Sequence, residues 1–285
     1  MIKFGLATSF VAGATLLLAT AASQPDPSKS VEYPTPTIRE EQKVVVGGVV
    51  EVWQLKWTTP PKPVCEPSAD SLTCPCNGFA YGEGGNLTLF RLRDGKVVDH
   101  LDLSQFFDDG PADNEKTAVV RRWEPDYDKD FDAMKRQDFP ALVTKRRVAQ
   151  VMQFADYEHN GWQSEFYLQT ESGPCGHRSG IVIGVSKGNQ RLHAVGAASK
   201  PTKALYLHED EWDALRRKPG PFEILDWACG DHAAETEIRL WLRWKPKGVD
   251  GTRREYGCLG GFRPGKLLRE GPLSPVSETD PLVRP

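Results

Sequence analysis

Between Glu237 and Lys245 apolar and polar side chains alternate without a break. Ile238, Leu240, Leu242 and Trp244 fall on one side; Glu237, Arg239, Trp241, Arg243 and Lys245 fall on the other. A period of two belongs to extended chain, because successive side chains of a strand point to opposite faces. One apolar and one polar face is the signature of an antiparallel sheet with one wet side. The signal recurs. Val44–Trp57 places Trp53, Leu55 and Trp57 on one face. Leu87–Arg93 and Lys96–Leu103 flank Asp94-Gly95, the dipeptide that a type I′ hairpin turn requires. Arg147–Ala155, Glu165–Thr170, Gly180–Ser186, Arg191–Ala197 and Phe222–Trp227 read as further strands. The expected fold is mainly β, with antiparallel sandwich-like or partial-propeller sheets. With 26 Gly and 22 Pro in 285 residues, turns are favoured over long helices. One short helix is expected at 209–218. Glu209, Asp210 and Glu211 lie at its positive end, Arg216, Arg217 and Lys218 at its negative end, and Pro219-Gly220 stops it.

The ends of the chain read differently. Lys3 followed by the apolar run Phe4–Leu18 and the small residues Ala19 to Ser23 forms a secretory signal pattern, so residues 1–23 are expected to be removed on export. The run is shorter than the roughly 20 apolar residues a spanning helix needs. Pro25, Pro27, Pro34 and Pro36 mark 24–42 as a flexible leader, and Pro272, Pro275, Pro281 and Pro285 mark 271–285 as a disordered tail. Between them the expected organisation is an N-terminal β unit with a charged, irregular excursion over 43–146, then a C-terminal β-rich domain over 147–270. A short helix is expected near Asp128–Gln137. A formal net charge of −3 gives no basic excess with which to hold nucleic acid. Localisation is expected to be periplasmic or extracellular.

Export changes how the six cysteines read, since oxidising compartments favour disulfides. Cys229 and Cys258, near two neighbouring strand ends, form the best single pair; Cys65, Cys74 and Cys76 close a loop of their own and send one sulfur elsewhere. Cys175-Gly-His177 and Cys229-Gly-Asp-His232 resemble each other, but the ligand spacings of zinc modules are absent.

The sharpest local motif is Asp156-Tyr-Glu158-His-Asn160-Gly161-Trp162, followed by Glu165. Alternate oxygen-bearing residues on a tight loop suit calcium, and glycine permits the sharp turn. Over about ten residues it resembles the Asp-x-Asp-x-Asp-Gly calcium loops of EF-hands and FG-GAP-like repeats. That resemblance implies metal ligands from Asp156, Glu158, Asn160, the Trp162 backbone and Glu165, with calcium as cofactor. The strand-like flanks and Tyr167 at the twelfth position exclude an EF-hand and favour a strand–loop–strand site. The alternative is a polar turn in which Asp156 and Asn160 bond their own backbone. Asp126, Asp128, Asp130 and Asp132 also alternate, but Phe131 occupies the glycine position, and they read as a solvated turn.

Gly184-Val-Ser186-Lys-Gly188 matches the nucleophile-elbow pattern, with His232 downstream. A strand signal follows it where a helix is required, so Ser186 is expected at a hairpin tip. Trp241, set between Arg239 and Arg243, is the one candidate aromatic platform. The chain as a whole resembles an exported bacterial protein. The expected function is that of a non-catalytic binding or structural protein, calcium-stabilised, with a carbohydrate or protein ligand. The alternative is a secreted hydrolase, metal-assisted or Ser186-based.

Overall fold

The computed structural model describes residues 37–64, 79, 82–107, 117–124, 146–172 and 178–273. Its first half runs through β1 (Thr37–Val46), β2 (Val49–Trp57), β3 (Lys62–Val64), β4 (Gly82–Gly85), β5 (Leu87–Arg93), β6 (Lys96–Asp102) and β7 (Ala118–Arg121). The order β1-β2-β5-β6 makes one antiparallel sheet, and β3-β4-β7 a smaller one. The β5–β6 turn is the expected one: Asp94 and Gly95 both have positive φ, 51° and 73°. The second half runs through β8 (Glu165–Ser172), β9 (Arg178–Gly184), β10 (His193–Ala194), β11 (Gly196–Ala197), β12 (Lys200–Ala204), β13 (Leu207–His208), the helix α1 (Glu209–Arg217), β14 (Phe222–Trp227), β15 (Thr236–Lys245), β16 (Gly248–Leu259) and β17 (Arg263–Pro272). Strand β9 pairs with β8, β10 and β13, and β16 joins β15, β17 and β11 in the largest sheet.

The β8–β9 pair lies between two cores because both its faces are apolar. Phe166, Leu168, Ile181 and Ile183 point into one core with Trp53, Leu55, Leu87 and Leu89. The alternate residue Val182 enters the other, with Trp212, Leu215, Leu240 and Leu242. The first core therefore draws on residues from both sides of the boundary expected at 146/147, and the described residues form one compact unit.

Two polar devices fix this arrangement. Glu51 is buried and accepts Arg91 Nε and Nη2 at 2.8 and 2.9 Å and Arg93 Nη2 at 2.8 Å. Burial alone would raise its pKa, but the two guanidiniums outweigh that and hold it below the ordinary value. The second device corrects a boundary. β1 begins at Thr37, inside the stretch expected as a flexible leader, and pairs with β2 along its whole length. Its polar residues are the stitching. Arg39 ion-pairs with Glu83 and donates to the Arg121 and Ala149 carbonyls. The Glu40 carboxylate accepts the Val151 and Met152 N–H groups, and Gln42 donates to the Met152 carbonyl.

That stitching also explains a second correction. Arg147–Ala155 is not a strand; it makes only single bridges, Trp123–Val148 and Ala155–Glu165, because side chains of β1 satisfy part of its backbone. At the other end β17 reaches Pro272, and Leu273 is buried and donates to the Gly251 carbonyl, so ordered chain enters the stretch expected as a tail. Cys229 and Cys258 form the expected disulfide, with Cα atoms 5.7 Å apart. Residues 1–36, the other four cysteines, His177, Asp126 to Asp132 and the helix expected near 128–137 lie outside the described residues.

Candidate functional site

Helix α1 follows from its sequence: acids in the first turn, arginines in the last, and a face of Trp212 and Leu215 buried in the second core. Trp212 Nε1 donates to the Gly180 carbonyl on β9 at 3.0 Å, which locks the helix against the central sheet. Each end of the helix carries an acid cluster.

The N-terminal cluster joins three elements. His208 ends β13 and is the N-cap residue. Glu211 lies in the first helical turn, and Asp226 comes from β14. His208 Nδ1 lies 3.0 Å from Asp226 Oδ1 and 4.0 Å from Glu211 Oε1, while the His208 backbone N–H donates to Glu211 Oε2 at 2.6 Å. Among the described residues this is the one group of three His, Cys, Asp or Glu residues whose ligand atoms all lie within 4.8 Å of each other. Glu211 is fully buried, whereas the His208 and Asp226 side chains keep 27% and 17% of their exposure, so the cluster has one wet side. Burial opposes charge on His208, but the Asp226 hydrogen bond and the Glu211 and Asp226 charges raise its pKa to about 9. Burial, then Asp226, pushes the Glu211 carboxyl up.

At the C-terminal end lies the Asp156 loop. His159 has φ 54° and Gly161 φ 86°, the positive values the glycine suggested. Asp156 Oδ1 accepts the Asn160 N–H at 2.8 Å and Oδ2 the Gly161 N–H at 2.7 Å. Asn160 Oδ1 accepts the Trp162 N–H at 2.8 Å, and Asn160 Nδ2 donates to Glu158 Oε2 at 3.1 Å. Glu165 is buried, and its Oε2 accepts the Tyr157 N–H at 3.0 Å. Burial, then the Glu158 charge, pushes its pKa to about 8, with Asp156 adding to the rise. Burial raises that of Glu158 as well. The five expected ligand residues thus share one neighbourhood, with Asp156 and Asn160 turned onto loop backbone.

Two other residues give this loop work of its own. His159 Nε2 donates to the Leu215 carbonyl at 2.7 Å, one of the helix-end carbonyls without an intrahelical partner. The Trp162 ring lies against Gly47 in the β1–β2 turn, where a Cβ would stand 3.4 Å from it, and Lys187 sits 6.0 Å from its centre.

Ser186 sits where the strand signal placed it, in the connection between β9 and β10. Its backbone N–H donates to the Asn189 carbonyl at 2.9 Å, and its Oγ accepts the Asn189 N–H at 3.1 Å. This is a closed turn and not a strand-to-helix elbow.

Trp241 lies on the outer face of β15. Arg243 stacks 5.0 Å from its ring, and Arg239 stacks 5.7 Å from Tyr256 on the neighbouring strand. Glu223, Glu270 and Asp250 pair with the cations of this face.

Sequence reasoning missed the His208 cluster. Its local trace is a histidine three residues before a glutamate at a helix start, the spacing of a capping box. The third member arrives from β14, beyond the Pro219-Gly220 stop, so no linear pattern contains it.

Fold and site together define a mainly β protein, its sheets largely antiparallel, with one disulfide among the described residues and a helix held at both ends by polar clusters. No family model matches the chain, and neither a curated protein nor a solved structure matches it.

Proposed function

We propose that the chain is an exported, non-catalytic binding protein that offers the outer face of the β14–β17 sheet to a protein partner. The composition of that face carries the reading. Register places Leu225, Arg239, Trp241, Tyr256 and Leu267 on one side of the sheet. Leu225 and Leu267 are 51% and 40% exposed, and Phe262 at the β16–β17 turn is 81% exposed. Trp, Tyr and Arg among exposed apolar groups is the composition of interface centres. A sugar would need bare ring faces, and here arginines stack on both aromatics. Cations and acids alternate across the face, so it presents no basic stripe to nucleic acid. The signal pattern and the Cys229–Cys258 disulfide support an oxidising destination. Among the described residues no helix is long and apolar enough to cross a membrane.

Site-specific photocrosslinking in exporting cells tests the reading. A photoreactive residue at Trp241 or Leu225 is expected to give a discrete protein adduct, and one at Asp94, on the β5–β6 turn, none. Arg239→Glu is expected to remove the adduct. Equal labelling from all three positions, or none from any, rejects this face as the binding surface. Intact mass of the exported material is expected to show an N-terminus near residue 22–24.

A further inference from the structure

We infer that His208, Glu211 and Asp226 form a binding site for one divalent transition-metal ion, with zinc the best match to the ligand set. This site is independent of the β14–β17 face and of any partner bound there.

The geometry comes first. Zinc held by imidazole nitrogen and carboxylate oxygen at about 2.0–2.2 Å in a tetrahedron has neighbouring ligand atoms about 3.3–3.6 Å apart. The separations from His208 Nδ1, 3.0 Å to Asp226 Oδ1 and 4.0 Å to Glu211 Oε1, bracket that edge length. The Asp226 and Glu211 oxygens lie within 4.8 Å of each other, so an ion entering between the three groups draws the two carboxylates inward. The three residues arrive from β13, the first turn of α1 and β14, so a shared ion ties the helix to two strands.

The support around the ligands is also in place. Glu211 already directs Oε2 at the His208 backbone N–H, which leaves Oε1 turned towards the imidazole. Ligating carboxylates are commonly oriented by such a hydrogen bond. Glu211 is buried and the other two side chains are partly exposed, so solvent can reach the cluster, as it does in zinc sites with three protein ligands.

Two carboxylates converge on the imidazole, and Glu171 lies across β9 from His208 in register. A divalent cation takes the place of the imidazole proton, since the neutral ring is the form that binds metal. The nitrogen ligand disfavours magnesium and calcium, which prefer all-oxygen sets.

The test uses the full, disulfide-oxidised chain stripped with a chelator and titrated with Co²⁺ and Zn²⁺. One equivalent of Co²⁺ is expected to develop the strong visible absorption of a low-symmetry tetrahedral site without a thiolate charge-transfer band, and Zn²⁺ to erase it. His208→Ala and Asp226→Asn are each expected to weaken zinc at least tenfold with circular dichroism unchanged. Asp226→Asn nearly keeps the side-chain volume, so it decides the matter if His208→Ala fails to fold. Absence of binding, a thiolate band, or zinc affinity unaltered in Asp226→Asn overturns the assignment.

Discussion

The two ends of helix α1 carry the two acid clusters of this protein, and they were built in opposite ways. At the C-terminal end Asp156, Glu158 and Glu165 fall within ten residues of sequence, and the motif is visible at once. Yet Asp156 commits both oxygens to the Asn160 and Gly161 N–H groups, Asn160 bonds the Trp162 N–H, and His159 serves a helix carbonyl. At the N-terminal end no motif is visible, yet His208, Glu211 and Asp226 bring their ligand atoms within 4.8 Å of one another. A local run of acids supplies the types of group a cation needs. Convergence is supplied by tertiary structure, here β13 paired with β9 and β14 paired with β15, which brings Asp226 to His208.

The comparison is sharpest at Asp156. Two charge-assisted hydrogen bonds to backbone are lost in Asp156→Ala, and the expected cost is about 2–3 kcal/mol in the absence of any metal. Urea unfolding in EGTA measures it. An unaltered midpoint would mean that the carboxylate does not hold the loop.

Glu165 supplies a pH dependence. Its folded pKa, about 8, stands above the ordinary carboxyl value of 4.5, so the folded state holds the proton more tightly. The associated stability is fully present below the ordinary value and is lost as pH rises through about 8, at up to ~1.4 kcal/mol per unit. Glu165→Gln keeps the neutral shape. The fall in unfolding free energy between pH 5 and pH 8.5 is therefore expected to shrink by about 1–2 kcal/mol in the variant. Parallel curves for the two proteins would remove Glu165 as the cause.

A smaller effect is expected from His159→Ala. The Leu215 carbonyl loses its donor and turns to water, at a cost of about 1 kcal/mol. Hydrogen exchange should rise in the last turn of α1 and stay unchanged at its first. Equal loosening of both turns would mean that the imidazole holds more than the helix end.

Much of the β architecture was legible in residues. Ile238 to Trp244 alternated, and β15 is there; Asp94-Gly95 asked for a tight turn, and the φ values are positive. The pairing of Cys229 with Cys258 also followed from sequence. What stayed hidden depends on distant partners. β1 reads as a polar leader because Arg39, Glu40 and Gln42 look solvated, yet they satisfy backbone more than 80 residues away. β16 holds Arg253, Arg254 and Glu255 and several glycines, a poor strand on its own, and its ladder with β15 decides it. Arg147–Ala155 shows the reverse, a good local strand signal with no ladder to join. The Asp156 loop was legible as a feature. The His208 cluster was not, because its third member is placed by β14.

The contrast between the His208 cluster and the Asp156 loop is tested most directly by melting one chelator-stripped sample three ways: in EGTA, with millimolar Ca²⁺, and with micromolar Zn²⁺. Zinc is expected to raise Tm, by the equivalent of about 2.7 kcal/mol at a hundredfold excess over Kd. Calcium is expected to leave Tm where EGTA puts it. A rise with calcium and none with zinc would contradict the account, and would place the metal chemistry of this protein in the Asp156 loop.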